Sequence, residues 1–182
     1  MTHTIPHYIK SNAKNYPKDI ALREKKFGVW KTKDWQQCLE EIENIALGLH
    51  DKGIIGKKTI AILGNNTPRW TLAEIAVQSL GSIPLGIYSD ALESEIIYLI
   101  DYSSCRVVFV EDEEQADKIM SLSDSKGKID LIVYDEPKGM NKYNDKRLIS
   151  YKNLLKTGNE FKKHNTNFFI KLLENINEED TC

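Results

Sequence analysis

A chain of 182 residues with 41% apolar and 29% charged residues holds enough apolar material for one sizeable core and too little length for several domains, so one globular body with a loose tail is expected. Its formal net charge of -2 removes the electrostatic case for nucleic acid or an anionic membrane surface as the main partner. Cys38, Cys105 and Cys182 are odd in number and far apart, which fits neither a disulfide framework nor a zinc site and points to a reducing cytoplasm. The first residues lack the apolar core of a signal peptide and no run approaches the ~18 apolar residues that span a bilayer, so the expectation is a soluble chain, at most peripheral to a membrane.

In chain order, Pro6 to Asn15 reads as a short helix ended by Tyr16-Pro17. Ile20 to Arg23 and Val29 to Lys31 read as two strands around a turn at Gly28, a small antiparallel entry. Trp35, Cys38, Leu39, Ile42, Ile45, Ala46 and Leu49 recur at steps of three and four, which gives a helix one buried face, with Thr32 placed to cap it and Gly53 to end it. Thr59 to Leu63 is a buried strand feeding a helix that starts with Thr67 as N-cap and Pro68 in the first turn, where proline has no N–H to lose. That helix, Pro68 to Leu80, is apolar around most of its circumference and should be sandwiched between layers. Gly81 suits the turn that follows, and Ile83 to Tyr88, weakened by Pro84 and Gly86, reads as an edge or bulged strand. Glu93 to Tyr102 and Glu113 to Leu122 are further helices; Arg106 to Val110 and Ile129 to Tyr134 are further strands. Such alternation implies a mainly parallel sheet flanked by helices, an α/β fold.

Composition changes after Asp135. Glu136 to Arg147, with Pro137 and Gly139, reads as an exposed loop, and Leu148 to Leu155 as one short helix. Beyond Lys156 the apolar residues are sparse, but Phe169, Ile170, Leu172, Leu173 and Ile176 fit an amphipathic helix. The expected organisation is therefore a body over residues 1–135 and a loop-rich segment over 136–182.

No chemical motif survives comparison with a plainer explanation. Gly53 to Thr59 lacks Walker spacing and precedes a strand instead of following one, so it reads as a helix-ending turn with solvated lysines. G-x-G-x-x-G is absent, which removes the anchor of a dinucleotide site. His3, His7, His50 and His164 share no metal-ligand spacing and read as surface residues. Cys105 precedes an apolar strand and Cys38 lies on a core face, so both read as packing. Asn65-Asn66-Thr67 reads as a strand-to-helix turn, and the acidic run Glu111 to Glu114 as carboxylates complementing a helix N-terminus. Trp35, Trp70, Tyr88, Tyr98, Tyr102 and Phe109 read mostly as core aromatics. On these grounds alone the chain is an α/β domain without a recognisable reactive site.

One stretch carries a resemblance. Asn65 to Asp112 runs Asn-x-x-x-Trp, a Leu-Ala-Glu-x-Ala helix, Leu-Gly-Ser-Ile-Pro-Leu-Gly-Ile-Tyr, Ile-Ile-Tyr-Leu-Ile and Arg-Val-Val-Phe-Val-Glu-Asp. It resembles the N-terminal region of AMP-forming acyl-CoA synthetases, in particular the long-chain fatty acid branch. The similarity extends over roughly residues 4–135 and includes GLHDKGIIGKKTIAILGNNTPRW. Lys58, where relatives often carry Asp, and Thr67, inside the usual Asn-x-Pro run, depart from the pattern.

The resemblance implies the N-terminal subdomain of the adenylate-forming fold, truncated, from an enzyme of two steps. In such a ligase a fatty carboxylate attacks the α-phosphate of ATP, pyrophosphate leaves, and the coenzyme A thiol captures the acyl adenylate. ATP, magnesium and CoA are thus implied for the complete enzyme and none for this chain alone. The strings with which the family holds the triphosphate, adenine and magnesium, similar to T-S-G-T-T-G-x-P-K-G and Tyr-Gly-x-Thr-Glu, do not occur. Glu179-Asp180-Thr181-Cys182 looks like the approach to the first of them, cut off. The catalytic, cofactor-binding and metal-binding assignments are accordingly none. The expected role is a scaffold without adenylation activity of its own. Fatty acid, ATP and CoA are the partners of the complete enzyme, and the remaining half of the ligase or a second copy are candidate partners of the chain. The alternative is a stand-alone α/β binding or interaction module.

Overall fold

The computed structural model describes residues 4–122 and 129–181; His3 and Cys182, weighed above, lie outside them. The chain opens with α1 (Ile5–Asn15), followed by the hairpin β1 (Ile20–Lys26) and β2 (Val29–Asp34). These strands pair antiparallel, with an irregularity between Ile20 and Leu22. Phe27 and Gly28 close the hairpin with φ of 52° and 79°. Positive φ at both central positions matches the right-handed twist of the two strands, and glycine takes it without strain.

Helix α2 (Trp35–Asp51) follows at once. Its cap is Asp34 rather than Thr32: the Asp34 carboxylate accepts from the Gln37 N–H at 2.8 Å, and the Gln37 side chain accepts from the Asp34 N–H at 3.0 Å. Thr32 is occupied in the hairpin, paired with Arg23. The strand runs three residues beyond Lys31, so the cap shifts from Thr32 to Asp34, where extended backbone ends.

The body is a five-stranded parallel sheet in the order β4-β3-β5-β6-β7. Its strands are β3 (Thr59–Leu63), β4 (Ile83–Ile87), β5 (Val107–Val110), β6 (Leu131–Tyr134) and β7 (Leu148–Ser150), and its helices are α3 (Pro68–Ser79), α4 (Glu93–Ser103), α5 (Glu113–Leu122), α6 (Tyr151–His164) and α7 (Phe168–Glu174). The α/β architecture expected from the alternation of patterns is the one observed. Strands alternate their side chains between faces, so each apolar strand serves two cores. Ile60, Ile62, Val107, Phe109 and Val133 face α2, α3, α6 and α7; Ala61, Leu63, Val108, Val110 and Ile132 face α4 and α5. α3 has Thr67 as its cap, with Oγ1 accepting from the Trp70 N–H at 3.2 Å, and Pro68 in the first turn. β4 is an edge strand in continuous register with β3, without a bulge.

Two expectations fail after Asp135. Leu148 to Ser150, expected to be helical, forms the fifth strand, paired parallel with Ile132 to Tyr134. The helix begins only at Tyr151, capped by Ser150 Oγ, and continues to His164. Its polar composition and Gly158 hide it from a reading based on apolar period, because few of its residues are buried: Tyr151, Leu154 and Gly158. Gly158 is needed there for close approach, since a Cβ at that position would run into the backbone carbonyl of Asn44 on α2. Gly48 on α2 plays the reciprocal part, its Cβ position lying 2.5 Å from the Leu154 carbonyl oxygen. α7, in contrast, falls where its amphipathic pattern puts it, with Phe169, Leu173 and the following Ile176 buried.

Candidate functional site

Strand β3 has β4 on one side and β5 on the other, so the direction of strand succession reverses between β3 and β5. Open α/β sheets place ligands in the crevice beyond the carboxyl ends of the strands at such a switch point. A crevice occurs at that position, floored by Ile62, Phe109 and Val133 and rimmed by Asn65, Arg69, Trp70, Glu111, Asp135 and Tyr151.

Asn65, the second residue after β3, organises the rim. Its backbone N–H and side-chain Nδ2 both donate to Glu111 Oε2, at 2.8 and 2.9 Å, while its Oδ1 accepts from Ser89 Oγ at 3.3 Å. The loops after β3, β4 and β5 are thereby tied to one another. On the far side Arg69, from the first turn of α3, forms an ion pair with Asp135 at the end of β6. Its guanidinium lies over the Tyr151 ring, 5.1 Å from the centroid. Tyr151 OH donates to Glu41 Oε1 at 2.8 Å, and Lys33 pairs with the other oxygen of Glu41. Burial, and then the neighbouring Glu41 carboxylate, push the Tyr151 phenol well above its usual range. A chain of charged and aromatic groups thus runs from β2 through α2 and α6 to the crevice.

The polar groups of the rim are held by one another. The carboxylates of the rim are engaged, Glu111 by Asn65 and Asp135 by Arg69. Tyr151 is a buried phenol held neutral, and Thr67 caps α3. No lining residue forms a nucleophile–base pair of the kind covalent chemistry requires. Among the described residues no three His, Cys, Asp or Glu side chains gather in a way that could hold a metal ion. The turn Gly53 to Thr59 lies before β3, at the opposite end of the sheet from the crevice, and its Lys57 pairs with Asp180. It offers no cradle for the phosphates of ATP.

The other residues weighed in the sequence fall as follows. Cys38 and Cys105 are buried, and burial raises both thiols, Cys38 from 9.0 to about 11. Cys105 Sγ donates to the Val107 carbonyl at 3.0 Å. In the acidic run, Asp112 Oδ1 accepts from the Gln115 N–H at 3.2 Å and so caps α5, as the carboxylate pattern suggested. Phe109 is core, but Tyr88, Tyr98 and Tyr102 are exposed, against expectation. Tyr88 directly follows β4, and α4 buries only the side carrying Ile96 and Ile100, so Tyr98 and Tyr102, two residues on from each, stand outward. Arg69, Asp135, Tyr151 and Glu41 were invisible as a group because their partners lie far apart in sequence; the one local hint was Arg69 in the first turn of a helix following the first buried strand.

The parallel sheet flanked by helices, with a crevice at its switch point, defines an α/β subdomain. The sequence model of the AMP-binding enzymes matches residues 9–170, and the chain belongs to that family. It is similar to the long-chain-fatty-acid–CoA ligase ACSBG2 of Homo sapiens, 25% identical over 122 residues that make up 67% of this chain and 18% of that protein. It is also similar to the long-chain-fatty-acid–CoA ligase heimdall of Drosophila melanogaster, 23% identical over 134 residues, 71% of this chain and 20% of that protein. The chain spans about a fifth of the length of these relatives. Among solved structures, the anthranilate CoA ligase AuaEII in complex with anthranoyl-AMP superposes with a TM-score of 0.73 at 16% identity, over 85% of this chain and 28% of that one. A protein from Rhodopseudomonas palustris assigned as a long-chain-fatty-acid CoA ligase gives 0.70 at 21% identity, over 84% and 36%. At such identities these two establish the fold alone: the chain has the fold of the N-terminal region of adenylate-forming enzymes.

Proposed function

We propose that the chain is the N-terminal portion of a long-chain fatty acid–CoA ligase and that by itself it is a scaffold without adenylation activity. The observation that supports this most strongly is the family match across residues 9–170 together with relatives of which the matched stretch makes up about a fifth. In this reading residues 1–135 are the partial AMP-binding subdomain and 136–182 the segment that leads toward the nucleotide-binding loop of the complete enzyme. ATP, magnesium, CoA and a fatty acid belong to that complete enzyme, in the cytoplasm or peripheral to a membrane. The switch-point crevice would form one wall of its site. Among the described residues no helix is long and apolar enough to cross a membrane.

The test is ATP–pyrophosphate exchange with palmitate on the purified 182-residue chain. No exchange above a protein-free blank is expected; exchange from a contaminant-free sample refutes the scaffold reading. The alternative, a stand-alone module, draws on the exposed Tyr88, Tyr98 and Tyr102. Reading the DNA beyond the Cys182 codon separates the two: an in-frame or frameshifted nucleotide loop supports the ligase, and its absence supports the module.

A further inference from the structure

The outer side of α4 and the neighbouring edge of the sheet form a surface of unusual chemistry. Tyr88, Tyr98 and Tyr102 are 83%, 62% and 81% exposed, and Leu92 beside them is exposed too. Tyr98 and Tyr102, one helical turn apart, stack with centroids 5.8 Å apart. Between α4 and the end of β4 runs an open groove lined by Tyr88, Ala91, Glu95, Tyr98 and Leu99. The charges around it have one sign: Asp90, Glu95 and Asp101 are exposed, and no Lys, Arg or His occurs between Trp70 and Cys105. Of the cations that follow in sequence, Arg106 pairs with Asp130, and Lys118, which reaches the loop beside the groove, is held by Glu114 and the Ser89 carbonyl.

The sheet edge beside this groove is poorly suited to an added strand. Ile83 N–H donates to the Lys58 carbonyl and Ile87 C=O accepts from Gly64 N–H, so residues 83, 85 and 87 face β3 while 84 and 86 face outward. Residue 84 is proline, which leaves Gly86 as the one outward N–H donor within β4. Recognition here must therefore come from side chains. Exposed tyrosine faces flanked by carboxylates attract ammonium and guanidinium groups through both ring quadrupole and Coulomb terms, and an open groove between a helix and a sheet edge admits the apolar stripe of a helix.

We propose that this face docks a partner protein through a basic amphipathic helix, its apolar side in the groove and its lysine or arginine side chains on Tyr98, Tyr102 and the surrounding carboxylates. The inference is independent of the ligase reading. Titrating the full 182-residue chain into a fluorescently labelled helical peptide of leucine and lysine, with its leucine–glutamate counterpart as control, tests it. The lysine peptide should bind, weaken as salt is raised, and lose roughly tenfold in affinity with Asp90→Asn/Glu95→Gln/Asp101→Asn. Tyr98→Ala/Tyr102→Ala should weaken it as well, whereas Glu160→Gln/Glu174→Gln/Glu179→Gln, the same change of charge on other surfaces, should leave it unchanged. Hydrogen exchange on the unaltered chain should map protection by the peptide to α4, whatever the stability of the variants. Equal binding of both peptides, equal loss in the two charge triples, or protection elsewhere overturns the proposal. Protection of α4 that grows with protein concentration alone also overturns it, because the occupant is then a second copy.

Discussion

At the scale of single residues, the crossing of α2 and α6 is the most demanding contact in the fold. Gly158 lies against the Asn44 backbone and Gly48 against the Leu154 backbone, so neither neighbour is a flexible side chain that could step aside. Gly158→Ala should therefore destabilise the chain by about 1–3 kcal/mol or more, although alanine is the better helix former; a lowered urea midpoint checks this, and an unchanged or raised one contradicts the packing. The buried thiols make a second prediction. Cys38 ionises less readily folded than unfolded, its thiol pushed up to about 11 from 9.0 chiefly by burial. Its contribution to stability is thus complete below pH 9 and is lost as pH rises toward 11, because the unfolded chain releases the proton first. The urea midpoint should fall across that window, and less steeply in Cys38→Ala, with Cys105 and Tyr151 accounting for the residual slope. In native protein neither Cys38 nor Cys105 should react with a thiol reagent at neutral pH until denaturant is added.

At the scale of elements, the ends of helices show how far local chemistry could be read. Thr67-Pro68 marked the start of α3 correctly because cap and proline sit side by side. Thr32 was the wrong cap for α2, since the hairpin's second strand extends past it and Asp34 carries the reciprocal bonds with Gln37. The two substitutions should separate cleanly: Asp34→Ala should cost about 1 kcal/mol and Thr32→Ala a few tenths at most. Urea denaturation of both variants decides, and equal losses would contradict the capping box. Strands β3 and β5 were legible because burial on two faces leaves an uninterrupted apolar run. β7 was not, having three half-buried residues that join the sheet only through pairing with β6. The exposed tyrosines of α4 were misread for a related reason: aromatic content marks potential burial, but which side of a helix finds a neighbour is decided by the rest of the fold.

At the scale of the whole molecule, the segment after Asp135 completes the body. Tyr151, Leu154, Phe169, Leu173 and Ile176 are all buried in the same cluster as α2 and α3. Deleting residues 148–182 should leave a chain that aggregates or lacks a cooperative unfolding transition, since it uncovers the faces of α2, α3 and the sheet. A cooperative melt from the shortened chain, followed by circular dichroism, would show the remainder to be self-sufficient. The α/β class and parallel sheet were readable from alternating patterns, and the family from Asn65 to Asp112. The crevice was not, because Arg69 meets Asp135 and Tyr151 meets Glu41 only after the sheet and α6 are assembled.

Asn65 gives this assembly a further consequence. By fastening to Glu111 and receiving Ser89, it pins neighbouring loops in register before any visitor arrives. A guest entering there would meet a rim already immobilised during folding, and association would forfeit little additional loop entropy.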